Sequence, residues 1–186
     1  MSTVRVTNLQ HPSSGSANIE LGSDGSVVLP AGFTGGIGTN VVSAHKTDTF
    51  TLNTSTFTTV TGLSVTITPT SASSKILLIA SVCVAYSESN RDGRASISIF
   101  RDTTNLSVPD DGGADRNMGN TNTYYNDRGM TAITPIFIDS PNTTSPVTYH
   151  VKAQDNAAAA MYVNRPADIT TDAYGVSTFT AIEVAA

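Results

Sequence analysis

The chain is short of charge. Only 13% of its 186 residues are Asp, Glu, Lys or Arg, so hydroxyls and amides must supply most of the polar surface. That composition suits sheets and turns and argues against helical bundles. Ten basic residues against fifteen acidic ones give a net charge of −5, which offers no basic stripe for a phosphate backbone. Nucleic-acid binding is therefore disfavoured. Cysteine occurs once, as Cys83, so no disulfide framework forms within the chain, and its place in an apolar run makes it an expected inert core residue. No apolar run reaches the ~20 residues that span a bilayer, and the opening MSTVRVTNLQHP lacks the basic-then-apolar order of a signal peptide. A soluble chain made in a cytoplasm, with no membrane insertion, is the expectation.

Catalytic chemistry is also undersupplied. His11, His45 and His150 are scattered, and none has a second histidine or a carboxylate at metal-ligand spacing. No G-x-S-x-G elbow, H-E-x-x-H helix or helical carboxylate pair occurs. Asp110, Asp111 and Asp115 offer hard oxygen ligands, but they miss the EF-hand spacing and glycines separate them, so a solvated loop is the better account. The sequence assigns no catalytic residue, no cofactor and no metal, and the protein reads as a non-enzyme.

What the chain does have is β-strand pattern. In Leu63-Ser64-Val65-Thr66-Ile67-Thr68 the apolar residues alternate with hydroxyls, as on a half-buried strand. Lys75 to Tyr86 is apolar at nearly every position and rich in Val and Ile, which predicts a strand covered on both faces or deep in a sandwich; turn clusters on either side and the β-branched residues weigh against a helix. Val41–Lys46, Thr49–Leu52, Phe57–Val60, Arg94–Arg101, Met130–Ile138 (with Pro135 marking an edge or bulge), the alternating Val147–Gln154, Ala158–Val163 and Ser177–Val184 continue the series. About eight or nine strands and no convincing helix indicate an all-β sandwich, with a jelly roll the favoured topology.

Residues 1–40 read differently. Ile19-Glu20-Leu21 and Val27-Val28-Leu29 flank a glycine corner and predict a small β-hairpin, which is marginal alone in water. Ile19, Leu21, Val27, Val28 and Leu29 are thus candidate anchor residues that pack on sister chains or another protein. Residues 31–38 are a glycine-rich link, without the Lys-Ser/Thr ending of a phosphate loop. Residues 41–186 form the head. Three polar segments break its strand spacing: Ser87–Gly93, Asp102–Gly129 and Arg165–Gly175. Long polar segments of this kind carry function in compact domains, and Tyr124, Tyr125 and Arg128, with Arg165, are the candidate surface-recognition residues.

Several segments together carry a resemblance: Lys46-Thr47-Asp48-Thr49-Phe50, Thr61-Gly62-Leu63-Ser64-Val65-Thr66-Ile67-Thr68-Pro69, Ser71 to Leu77, Phe137-Ile138-Asp139-Ser140-Pro141, Tyr149-His150-Val151-Lys152, and Ser177 to Val184. Over about residues 41–184 the chain resembles the β-sandwich virion proteins of marine tailed phages, cyanophages especially, and its front end is similar to the attachment segment that precedes such domains. The resemblance implies a place on a virion, as a short fibre or appendage protein that joins other virion proteins through its N-terminal arm and presents its head to a host-surface glycan or protein. It carries no catalytic residues. A capsid-decoration protein, as a knob or horn, is the alternative within that class. A carbohydrate-binding module or glycan-cleaving enzyme is the alternative outside it, and paired carboxylates about 5 to 9 Å apart in a cleft would mark the enzyme. Exposed edge strands and a shared arm make a homotrimer the expected assembly.

Overall fold

The structure, a computed structural model, describes residues 8–9, 19–21, 27–28, 40–86, 94–108, 120–123, 130–155, 160–167 and 174–184. Among these there is no helix. The chain divides into two compact units, Met1–Gly36 and Ile37–Ala186.

The first unit contains a three-stranded antiparallel sheet of β1 (Asn8–Leu9), β2 (Ile19–Leu21) and β3 (Val27–Val28), in the order β1-β2-β3. The expected hairpin is the β2–β3 pair, with Leu21 opposite Val27, and β1 adds a strand that the sequence pattern did not predict.

The second unit is built from β4 (Val41–Lys46), β5 (Phe50–Leu52), β6 (Thr58–Ile67), β7 (Lys75–Tyr86), β8 (Arg94–Arg101), β9 (Thr104–Asn105), β10 (Asn120–Thr123), β11 (Thr131–Ile133), β12 (Ile136–Asp139), β13 (Val147–Asp155), β14 (Met161–Val163) and β15 (Ser177–Val184). Several of these strands lie end to end. β12 and β15 both pair with residues 76–79 of β7, and β11 and β14 both pair with Val84, so each couple flanks β7 on opposite sides. Ser177 Oγ accepts from the Cys83 N–H, while the Asn164 N–H donates to the Cys83 carbonyl. Both groups of one strand residue point to the same side, so β14 and β15 share one edge of β7. β4 and β5 continue that arrangement outward against β15 and β14. In the second sheet β9 and β10 both lie beside β8, which pairs on its other side with β13, and β13 pairs with β6.

Numbered in chain order, the eight resulting rows are β4/β5, β6, β7, β8, β9/β10, β11/β12, β13 and β14/β15. One sheet has the order 1-8-3-6 and the other 2-7-4-5. That order is a jelly roll of two antiparallel four-row sheets, as the strand spacing predicts.

The core lies between the sheets and is filled by the alternating sets. Leu63, Val65 and Ile67 of β6, Ile76, Leu78, Ala80, Val82 and Val84 of β7, Tyr149, Val151 and Ala153 of β13, and Phe179 and Ala181 of β15 are all buried. Full burial of each large aliphatic side chain contributes about 1.5–3 kcal/mol before entropy is counted.

Four departures from the pattern reading follow from local chemistry. β6 is one strand because Gly62, at φ 89°, accommodates a bulge where the ladder with β13 shifts register between His150 and Lys152. Pro135 splits its run into β11 and β12 at the sheet edge, since it has no N–H to donate, and its carbonyl accepts from Ala80 instead. The segment 102–129 is not one polar loop: β9 and β10 within it form an edge row against β8. Cys83 is not a core residue. Val82 and Val84 take the inward positions, so Cys83 faces out and is half-buried, with its thiol 3.6 Å from the Val176 carbonyl.

Candidate functional site

The head has two chemically distinct ends. Asn40, the first described residue of the unit, lies where the chain enters, next to the residue 68–74 turn. Its Nδ2 donates to Thr68 O (2.7 Å) and to Glu183 Oε2 (2.9 Å), and its carbonyl accepts from the Glu183 N–H. Glu183 also accepts from the N–H and hydroxyl of Thr70 (2.7 and 2.6 Å). Burial by itself would raise the Glu183 carboxyl, but the nearby Ser74 hydroxyl and the hydrogen bonds from Thr70 and Asn40 outweigh it and hold the group down at about 2. Towards the same end Arg101 of one sheet reaches both oxygens of Asp139 in the other (3.0 and 2.9 Å), and the buried Tyr149 hydroxyl donates to Asp139 Oδ2 at 2.7 Å. Burial, then that hydrogen bond, pushes the Tyr149 phenol upward. The entry end is thus clasped across the sandwich.

The opposite end holds the strand ends around residues 53–57, 87–93, 124–129 and 156–160, whereas the segment from Asp102 starts at the clasped end, where the Asp102 N–H donates to the Thr148 carbonyl. β7 terminates there at Tyr86, whose partner Met161 opens β14, and Met161 also pairs with Leu52 at the close of β5. Arg94 and Thr123 face each other in the second sheet, and the Asp155 N–H donates to the Thr54 carbonyl at 2.9 Å. The strand ends that flank residues 53–57, 87–93, 124–129 and 156–160 therefore share the end remote from Asn40. Beneath them, burial raises the Tyr86 phenol and the nearby Asp155 carboxylate raises it further.

The segment between β14 and β15 leaves the sheet through a closed base. Asn164 is fully buried at φ 62°, a conformation asparagine tolerates better than most residues. Its Nδ2 donates to the carbonyls of Lys46 (2.8 Å) and Asp48 (3.0 Å), its Oδ1 accepts from Ser177 Oγ (2.6 Å), and its carbonyl accepts from the Gly175 N–H (3.1 Å). One side chain thus ties the β4–β5 turn to β15. Arg165 begins the outer segment with its guanidinium 3.7 Å over the Tyr162 ring, and Tyr174 at the far side is exposed. A charged, flat Arg–Tyr stack beside an exposed tyrosine is chemistry suited to contact with a sugar or a protein surface.

Reactive arrangements are few. Ser64 Oγ lies 2.8 Å from His150 Nδ1, yet the pair is a cross-strand contact on the open outer face of the second sheet. Burial and then Lys152 hold the His150 imidazole below its ordinary value. Lys46, with its side chain buried, pairs with the exposed Asp48 at 2.9 Å, and that hydrogen bond draws the Asp48 carboxyl down. Among the described residues no group of three or more His, Cys, Asp or Glu is placed to hold a metal ion. Nor does any described helix have the length and apolarity to cross a membrane.

Of the residues singled out from the sequence, Arg165 stands on the Tyr162 shelf. Tyr124, Tyr125, Arg128 and Leu29 lie outside the described residues. Ile19, Leu21, Val27 and Val28 stand on β2 and β3 as expected. Pattern reading missed Asn164 and Tyr162. The available signal was an Asn-Arg-Pro sequence directly after a strand, where asparagine readily takes a left-handed turn and the arginine three residues past the tyrosine can fold back onto it.

No protein-family model matches the chain, and no curated protein matches it. Among solved structures it is similar to the VP2 subviral particle of infectious bursal disease virus, at 15% identity and a TM-score of 0.31. The match covers 78% of this chain and 37% of that one. The jelly-roll assignment rests on the strand order described above.

Proposed function

We propose that this chain is a non-enzymatic structural protein of a virion, a short appendage held by its N-terminal unit and presenting the jelly-roll head. The observation that carries the reading is the polarity of the head. The chain enters at the clasped end, by Asn40 and Glu183, while the strand ends that flank residues 53–57, 87–93, 124–129 and 156–160 gather at the other. A domain fed from one end and decorated at the other suits a stalked display of variable loops on a rigid sheet. The sequence resemblance to tailed-phage virion proteins supports the same placement. In this reading the N-terminal unit contacts other virion proteins, the head assembles as a homo-oligomer, and the far end meets a host-surface glycan or protein.

The test is a truncated chain beginning at Ile37, which keeps the Asn40 hydrogen bonds, added to particles that lack the full chain. The truncated protein is expected to fold and to stay off the particle. Incorporation at normal occupancy would overturn the anchor role, and a truncated chain that does not fold would show that residues 1–36 belong to the head's own core.

A further inference from the structure

The two outer faces of the sandwich differ in kind. On the second sheet the outward residues of β6 and β13 are polar: Ser64 bonds with His150 and Thr66 with Thr148 across the strands, and Lys152 and Gln154 follow on β13. A solvated face ordinarily has that chemistry. On the first sheet the register aligns Ile138, Leu77, Ile182 and Val41 in a single line across all four rows. The next outward line is Ile136, Ile79, Thr180 and Ser43. Ile136, Ile138 and Val41 are 62%, 56% and 48% exposed, and Leu77, Ile79 and Ile182 are half-buried only by their neighbours in the sheet. Two of the most exposed isoleucines stand on an edge strand, where natural sheets ordinarily place charge.

We infer that this belt is a homomeric interface, covered by the same belt of further copies of this chain. Three observations favour a second copy as the occupant. The belt is its own complement, since an unbroken aliphatic line meets its symmetry mate apolar against apolar without needing a different receiving surface. It is free of charge: the eight residues of the two lines are aliphatic or hydroxyl-bearing, and Lys75 stands beyond them at the rim. Molecules of net charge −5 approach one another most readily on such a face, and a charged partner finds nothing there to read. Its size also fits. Four rows about 4.8 Å apart and two outward lines of about 6.8 Å each give an apolar centre of about 260 Å², and the polar lines on either side bring the flat face to about 450 Å². Side-chain relief enlarges that area towards the roughly 600–1,000 Å² per partner of a specific interface. The inference deepens the homo-oligomer of the proposed reading: a monomeric full chain removes both, whereas the place on a virion is tested separately by the truncated chain.

The experiment is sedimentation equilibrium on the full chain, its double variant Ile136→Lys/Ile138→Lys, and, in a Cys83→Ser background, a variant carrying a single cysteine at position 138 or, as a control on the other sheet, at position 66. The full chain is expected to be a dimer or trimer at micromolar concentration. The double lysine variant should dissociate at least about 100-fold more readily while keeping its far-ultraviolet spectrum, because each exposed isoleucine lost to the interface is a buried anchor. A bis-maleimide should join chains through position 138 and not through position 66, a readout that holds even if the lysine variant folds poorly. A monomeric full chain overturns the inference, whether the face is then covered by residues 1–36 or by a different protein. So does an oligomer that is untouched by the lysines and cross-links equally from both sheets.

Discussion

Replacing Asn164 with alanine should be among the most damaging single changes available in the head. The Asn164 side chain donates to the carbonyls of Lys46 and Asp48 and accepts from the hydroxyl of Ser177, and it sits at φ 62° with no solvent exposure. Alanine leaves the Lys46 carbonyl and the Ser177 hydroxyl without those bonds in a closed site, and each such group costs about 1–3 kcal/mol, while the more exposed Asp48 carbonyl can turn to water. The left-handed conformation adds roughly 1 kcal/mol for a residue with a Cβ and no compensating side chain. Because neighbouring losses are not additive, an expected total of about 3–5 kcal/mol is taken rather than the full sum. At about 2–4 °C per kcal/mol for a domain of this size, the melting temperature should fall by about 10 °C. Urea unfolding of wild type, Asn164→Ala and Asn164→Gly separates the two contributions. Glycine removes the backbone strain but not the lost hydrogen bonds, so it should recover roughly 1 kcal/mol and no more. An alanine variant within about 1 kcal/mol of wild type, or a glycine variant that restores full stability, would refute the reasoning.

Other consequences are as specific. Because the folded-state Glu183 carboxyl lies at about 2 against an ordinary 4.5, its stabilisation is fully present above pH 4.5 and is lost as the pH falls towards 2. Solvent screening at the rim limits it to about 1–2 kcal/mol, and Glu183→Gln should flatten that part of an acid-unfolding curve. Tyr149→Phe, which removes a hydroxyl donor to the Asp139 carboxylate, should cost about 1.5–3 kcal/mol in urea unfolding. Arg101→Met should cost about as much or more by leaving that buried carboxylate without its cation. A Cβ on Gly175 would stand 2.8 Å from Cys83 Cβ and 3.0 Å from its sulfur, so Gly175→Ala should lift the cover and speed maleimide labelling of Cys83 in the native protein.

The pattern of alternation carried most of the fold. Leu63, Val65 and Ile67, then Val147, Tyr149, Val151 and Ala153, fall on the core side as a two-residue period demands, and Pro135 marks an edge as its missing N–H requires. The continuous apolar run of β7 was the ambiguous signal. It fits a strand covered on both faces or one deep in a sandwich, and the structure takes the second: Ile76, Leu78, Ala80, Val82, Val84 and Ala85 are buried to completion while Leu77, Ile79 and Cys83 stay on the outer side. Pattern gives the period of a strand but not what lies above the sheet. The site was less legible for a related reason. Glu183 and Asn40 are 143 positions apart and Asn164 and Lys46 are 118 apart, so their bonds depend on which rows become neighbours. Arg165 was recognisable as a polar residue in a strand break, but the ring beneath it was not, because a tyrosine on a strand reads equally well as core.

The display of the head by its far end is tested most directly by labelling its two ends on assembled particles. In a Cys83→Ser background, a cysteine is placed at Ser55, in the turn between β5 and β6, or at Ser145, in the turn before β13; both positions are exposed and lie at opposite ends of the sandwich. Gold-labelled particles are then imaged by cryo-electron microscopy. Since β7 spans the head in 12 residues, the label at position 55 should lie farther from the particle than the label at position 145 by about 40 Å. A label at position 145 that lies farther out, or two labels at the same height, would contradict the account.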